Sequence, residues 1–233
     1  PTRELPVHKA PPKGVVFPAA DNVTVLLACQ SSTDATAETS ERHKITANGN
    51  VNAQSANPGL LRKTNITSTI TETTGSVFFD GPTDGNAAAT DSIIIPSSPD
   101  FNWGTGDFTV ETWVYGTDWT GGASNQDQVI YYHNEETAGF FVRAGALHYY
   151  NGGFVVSGPT LEDARWYHLA AARQNGTLTL YVDGASQGSA SHTDDYGEGG
   201  ITIGKNSANS KNQFRGYLSN FRICKGHAVY TSN

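Results

Sequence analysis

DFTVETWVYG, residues 107–116, alternates along its length: Phe108, Val110, Thr112 and Val114 fall on one side, Thr109, Glu111, Trp113 and Tyr115 on the other. A period of two is the spacing of a strand, where successive Cβ atoms point to opposite faces. Toward the C-terminus the same kind of segment recurs in QVIYYHN (128–134), GFFVRAG (139–145), LHYYN (147–151), GFVVSG (153–158), ARWYHLAAARQ (164–174), TLTLYVDG (177–184), ITIGK (201–205) and QFRGYLSNFRICK (213–225). Toward the N-terminus come TDSIIIP (90–96), SVFFDG (76–81), LRKTNITSTITE (61–72), HKITANGNV (43–51) and VTVLLACQ (23–30). Asn48-Gly49, Asn175-Gly176 and Asp183-Gly184 are dipeptides that supply the positive φ of hairpin turns. About thirteen or fourteen short strands bounded by such turns, with no strand–helix alternation, predict an all-β, two-sheet antiparallel β-sandwich of the jelly-roll kind.

Composition agrees. The 233 residues are 37% hydrophobic and only 16% charged, with 25 glycines. A chain of that size buries a core without metals or disulfides to hold it. Net charge is −7, and the 15 Lys and Arg are scattered, which excludes a phosphate-neutralising surface and so a nucleic-acid partner. No apolar run approaches the ~18 residues of a membrane span. The chain contains no Met and no signal-peptide pattern, so it is expected to be a processed product or a segment of something longer. Residues 1–21 carry Pro1, Pro6, Pro11, Pro12 and Pro18. Proline fixes φ and removes ladder donors, so this stretch reads as an extended arm or linker. The sandwich is expected over residues 22–228, and residues 229–233 read as the start of a C-terminal tail or linker.

SVFFDG, SIIIP, FNWGTGDFTVETWVY, RWYHLAAAR with NGTLTLYVDG, ITIGK and FRGYLSNFRICKG occur in an order that resembles the laminin G-like domains of the concanavalin A-like lectin/glucanase superfamily. Six separated motifs in sequence over roughly residues 22–228 carry the resemblance. LLACQS, ITANG and FRICKGHAVYTSN resemble modules of marine bacteriophage structural proteins and bacterial surface proteins. The resemblance implies a virion-surface or extracellular, cell-surface module of a fibre, tail or capsid decoration. It would present a carbohydrate- or protein-binding face to a glycan or host-surface receptor, with neighbouring copies or other structural subunits as further partners. A purely architectural module is the alternative, and a glycosidase relative a weaker one.

Catalysis is not expected. Glycosidases of the superfamily place two carboxylates on one strand. Glu111 is the only strand-centre carboxylate, with none at i+2 or i+4, and it reads as a polar residue of a strand's outer face. No G-x-S-x-G elbow is present. Asp80, Asp84 and Asp91 in FFDGPTDGNAAATDS are candidate oxygen ligands for Ca²⁺, set against the ordinary turn chemistry of Asp before Gly. For a sugar, aromatic faces beside planar polar groups are the requirement. Tyr131, Tyr132, His133, Tyr149 and Tyr150, with Trp119 in a nearby loop, are the candidates. Alternation sends one Tyr of each pair inward and one outward, and core packing is the competing reading. The resemblance also implies that the first and last strands are neighbours. Cys29 and Cys224 would then come within the ~4.4–6.8 Å Cα separation of a disulfide, or remain two buried thiols. Asn22, Asn65 and Asn175 begin Asn-x-Thr sequons, a pattern that chance supplies in a Thr-rich chain.

Overall fold

A computed structural model of the chain describes residues 24–38, 42–55, 75–81, 91–120, 127–134, 138–205 and 212–231. The expected strand at 61–72, the arm at 1–21, Asn22 and Asn65 lie outside these residues. The described chain is built from fifteen strands and one 3-10 turn, Pro99–Phe101. They are β1 (Thr24–Ala28), β2 (Thr46–Asn48), β3 (Asn52–Gln54), β4 (Ser76–Asp80), β5 (Ser92–Ser98), β6 (Phe108–Gly116), β7 (Asp127–His133) and β8 (Ala138–Arg143). After them come β9 (Ala146–Asn151), β10 (Phe154–Thr160), β11 (Trp166–Gln174), β12 (Thr177–Val182), β13 (Ala185–Ser191), β14 (Gly199–Ile203) and β15 (Arg215–Lys225).

The strands form two antiparallel sheets. One runs β13-β12-β11-β6-β15-β4-β3, with β1 also on β15; the other runs β10-β9-β8-β7-β14-β5-β2. Between them lies a single large core. Phe108, Val110 and Val114 turn inward from β6 as the alternation predicts, and Tyr131 and Phe140 face them from the second sheet. Tyr131 of β7 reaches Phe221 of β15 across the sandwich, with 5.3 Å between ring centroids. Trp113 belongs to the opposite set of β6 and stands on the outer face, against His168.

Asn175-Gly176 and Asp183-Gly184 make the expected tight hairpins, both residues of each pair having positive φ. Asn48-Gly49 does not. β2 pairs with β5 in one sheet and β3 with β4 in the other, so this turn carries the chain across the sandwich. Asp91 holds that corner: its carboxylate accepts the Asn50 N–H at 2.6 Å and the Asp80 N–H at 2.9 Å.

β1 does lie beside β15. The register sets Thr24 opposite Cys224 and Ala28 opposite Phe221, and the Cys29 carbonyl accepts the N–H of Asn220. Cys29 and Cys224 therefore sit at opposite ends of the ladder, roughly 13 Å apart at the rise of a strand. That separation rules out the disulfide. Both are buried thiols outside any disulfide, and burial pushes the Cys29 thiol up to about 12, where it is unreactive at neutral pH.

Two buried cations hold parts of the molecule that periodicity does not reveal. Arg173 is fully buried and donates to the carbonyls of Gly104, Gly106 and Asp194 at 2.6–2.8 Å. Its guanidinium lies over Phe108 and Tyr196, so the loop at 104–106 is fastened to the loop at 194. On the outer face of the first sheet, Glu111 is fully buried. It accepts from Arg222 and Tyr230, and it meets His168 Nε2 at 3.0 Å. Tyr230 belongs to the segment after β15, which crosses this face and packs on Ala170, Ala172 and Tyr181.

Candidate ligand-binding face

The second sheet presents an outer surface made by β7, β8, β9 and β10. Tyr132 and Tyr150 are both directly opposite Gly139, and Phe154 is opposite Tyr150. In the next row Val129 faces Phe141, Phe141 faces His148, and His148 faces Ser157. A Cβ at Gly139 would run into the Tyr131 backbone, so glycine is required there. Phe141 stands between the two tyrosines, with centroids 4.9 Å from Tyr132 and 4.8 Å from Tyr150.

Exposure rises toward the sheet edge. Tyr132 and Phe141 are buried, Tyr150 and His148 are half-buried, and Phe154 is 41% exposed. Isolated surface aromatics are ordinary; a registered group of them on one face is not. His148 lies parallel to Phe154 at 4.2 Å and its Nδ1 is 2.9 Å from Ser157 Oγ. The Arg143 guanidinium sits 4.6 Å from the Phe154 ring centre. Its Nε and Nη2 are held by Asp127 at 2.6 and 2.7 Å, a bidentate pair that fixes its plane. Burial, and then the neighbouring Arg143 charge, lower the pKa of His148, which keeps the imidazole neutral at pH 7. The face thus offers aromatic edges and faces, a neutral imidazole, a hydroxyl and an oriented guanidinium. Those groups suit a flat, partly apolar, hydroxylated ligand.

The candidates from sequence divide. Tyr132 and Tyr150 are on this face. Tyr131 and Tyr149 point into the core, where their hydroxyls are 3.4 Å apart, and Tyr149 continues to Tyr196 at 3.2 Å. His133 is a core residue too, stacked on Trp103 at 4.5 Å with Nε2 2.7 Å from the Phe101 carbonyl. Trp119 is buried as a loop anchor: its indole N–H donates to the Glu162 carbonyl at 3.1 Å and its backbone N–H to Asp163 at 2.6 Å. Asp80 and Asp91 meet at the crossover corner, and Asp84 lies outside the described residues. Both oxygens of Asp91 are engaged with backbone amides, which is turn chemistry. Burial, then the carboxylate of Asp80, raise the pKa of Asp91. Sequence reasoning missed Phe141, Arg143 and Phe154, whose signal was their cross-strand register and not their spacing. It also missed a half-buried row across the first sheet, in which Phe78 is opposite Tyr217, Tyr217 opposite Tyr115, and Tyr115 opposite Trp166.

A family model described as the concanavalin A-like lectin/glucanases superfamily matches residues 84–228. The chain belongs to that superfamily. No curated protein matches its sequence. Among solved structures, this lectin-type sandwich is similar to the binding domain of Paraclostridial Mosquitocidal Protein 1 (14% identity, TM-score 0.62, 89% of this chain and 50% of that chain). It is similar also to the binding domain of botulinum neurotoxin serotype D (15% identity, TM-score 0.59, 88% and 49%). A third is a structure titled for the dependence of botulinum neurotoxin type C cell entry on interaction with two ganglioside molecules (9% identity, TM-score 0.61, 89% and 49%). The chain spans about half the length of these solved chains, and at such identities the likeness is one of fold. No helix among the described residues is long and apolar enough to cross a membrane.

Proposed function

We propose that this lectin-type sandwich is a non-catalytic binding module of a virion or cell surface, and that it takes a carbohydrate on the outer face of β7–β10. The carrying observation is the registered cluster of Tyr150, Phe154 and His148 with Arg143 toward the exposed β10 edge of the sheet. Superfamily membership supports the reading, as do two neighbours named as binding domains and a third whose title ties neurotoxin cell entry to interaction with ganglioside molecules. Against chemistry stands Glu111, the one strand-centre carboxylate in the sequence reading, buried and spent on Arg222, His168 and Tyr230. Deployment in a fibre, tail or capsid decoration, with neighbouring copies as partners, belongs to the same proposal. So does the calcium ion expected at Asp80, Asp84 and Asp91.

A glycan array probed with and without EDTA tests it. The expected result is saturable binding to a defined glycan class, reduced by chelation where calcium takes part. A folded protein that retains no glycan in either condition overturns the proposal and leaves the architectural role.

A further inference from the structure

The charge carried by this face decides which sugars it can take, given the carbohydrate reading above. The chain has a net charge of −7. Among the described residues of the two aromatic rows and of the pair beside them, Arg143 and Asp127 are the charged side chains, and they neutralise each other through two short hydrogen bonds. Asp127 is 8% exposed and lies directly across from Arg143. His148 touches Phe154 and Ser157 and is neutral at pH 7. What remains for a ligand is aromatic surface, the Ser157 hydroxyl, the imidazole, the Tyr150 hydroxyl and the guanidinium edge not turned to Asp127.

We infer that the β7–β10 face selects uncharged pyranose sugars and discriminates against sialylated, uronic-acid and sulfated glycans. A carboxylate or sulfate brought to Arg143 meets a guanidinium whose best-aligned donors are occupied. It also approaches the Asp127 carboxylate, which is itself largely shielded from water beside the half-exposed Arg143, and the two like charges repel. A sugar hydroxyl has neither difficulty: it accepts from the free guanidinium edge and leaves the Arg143–Asp127 pair intact. The aromatic contacts carry no charge requirement.

Titration of the intact protein against a neutral oligosaccharide and against its sialylated and sulfated counterparts tests this, repeated from low to high salt. Neutral ligands are expected to bind with affinity constant within about twofold over that range, since screening acts on charge pairs and not on stacking. Acidic counterparts are expected to bind at least about tenfold more weakly at low salt, where repulsion is least screened. Asp127→Asn, which releases Arg143 from its carboxylate, is expected to narrow that gap by about threefold or more. A melting curve checks that this variant folds, and if it does not, the wild-type salt series decides alone. Preference for the acidic ligand, or neutral-ligand affinity that falls steeply with salt, overturns the inference while leaving carbohydrate binding in place. Retention of no sugar at all overturns both.

Discussion

At the scale of single residues, neighbouring tyrosines have opposite fates. Tyr149 and Tyr150 are adjacent in sequence, yet one is fully buried with its hydroxyl on Tyr131 and Tyr196, and the other lies half-buried beside Phe154. Substitution should separate the two roles. Tyr150→Ala and Phe154→Ala remove contact surface without opening the core, so each is expected to weaken glycan binding by about 1–2 kcal/mol, or 5–30-fold, with little loss of stability. Tyr149→Ala removes a core ring and is expected to cost about 3–5 kcal/mol of folding stability. Parallel isothermal titration and urea melts read both quantities, and equal stability losses for Tyr149 and Tyr150 would contradict the assignment of faces. Alternation announced that one tyrosine of each pair points outward, but it could not say which. In β7 a register irregularity between Val129 and Tyr131 puts Ile130 and Tyr131 on the same inner side. A bulge of this kind resets the count of faces and leaves no mark in the spacing of apolar residues.

At the scale of elements, the last strand and the segment after it act as one unit. Arg222 of β15 and Tyr230 beyond it close on Glu111 of β6, and His168 of β11 completes the group. In the sequence Glu111 looks like an ordinary outward polar residue, because nothing local shows that a later segment will cover it. Once covered, a lone carboxylate becomes the anchor for a guanidinium, an imidazole and a phenol. Glu111→Ala leaves Arg222 buried without its carboxylate and is expected to destabilise by about 3–5 kcal/mol. Tyr230→Phe removes one hydrogen bond to a charged group, and its expected cost is about 1.5–3 kcal/mol. Denaturant midpoints measure both; an unchanged midpoint for Tyr230→Phe would mean that the segment is not anchored there. The β1–β15 ladder makes a second element-scale prediction. Both cysteines of the native protein should resist alkylation, and both should be labelled under non-reducing conditions once the chain is unfolded, because the register holds them too far apart to bond. The sequence placed β1 beside β15 through family likeness, whereas the pairing register, which decides the thiol question, is set by long-range packing. The Asn48-Gly49 turn makes the same point. Its local chemistry specifies a turn, and only the pairing of β2 with β5 and β3 with β4 says that it joins two sheets.

At the scale of the whole molecule, the sandwich was legible because period-two alternation and Gly-bounded segments repeat along most of the chain, so that one misread bulge changes nothing in the architecture. The binding face was legible only in part, since it is assembled from four strands whose mutual register no single segment encodes. The same long-range assembly sets how the protein responds to acid. His133 is sealed in the core against Trp103 and the Phe101 carbonyl, and burial drives its pKa from 6.5 down to about 4. Its imidazole stays neutral in the folded protein at pH values where the unfolded chain binds a proton. The unfolded state therefore holds more protons between pH 6.5 and about 4, and stability falls as pH drops through that window. A displacement of this size corresponds to a loss of about 3 kcal/mol by the lower end. Glu111 acts further down. Its pKa is lowered from 4.5 because the hydrogen bond from His168 and the charge of Arg222 outweigh its desolvation. The stability it contributes is complete above pH 4.5 and is withdrawn as the carboxylate is forced to protonate below it. Urea unfolding measured at successive pH values should accordingly show a loss that begins near pH 6.5 and steepens below pH 4.5. His133→Gln should flatten the upper part of that loss and leave the lower part in place, because glutamine has no proton to gain. A wild-type profile that is level from pH 7 to pH 5 would show that His133 is not sealed in the core, and with it the packing of β7 against the Phe101–Trp103 loop would have to be redrawn.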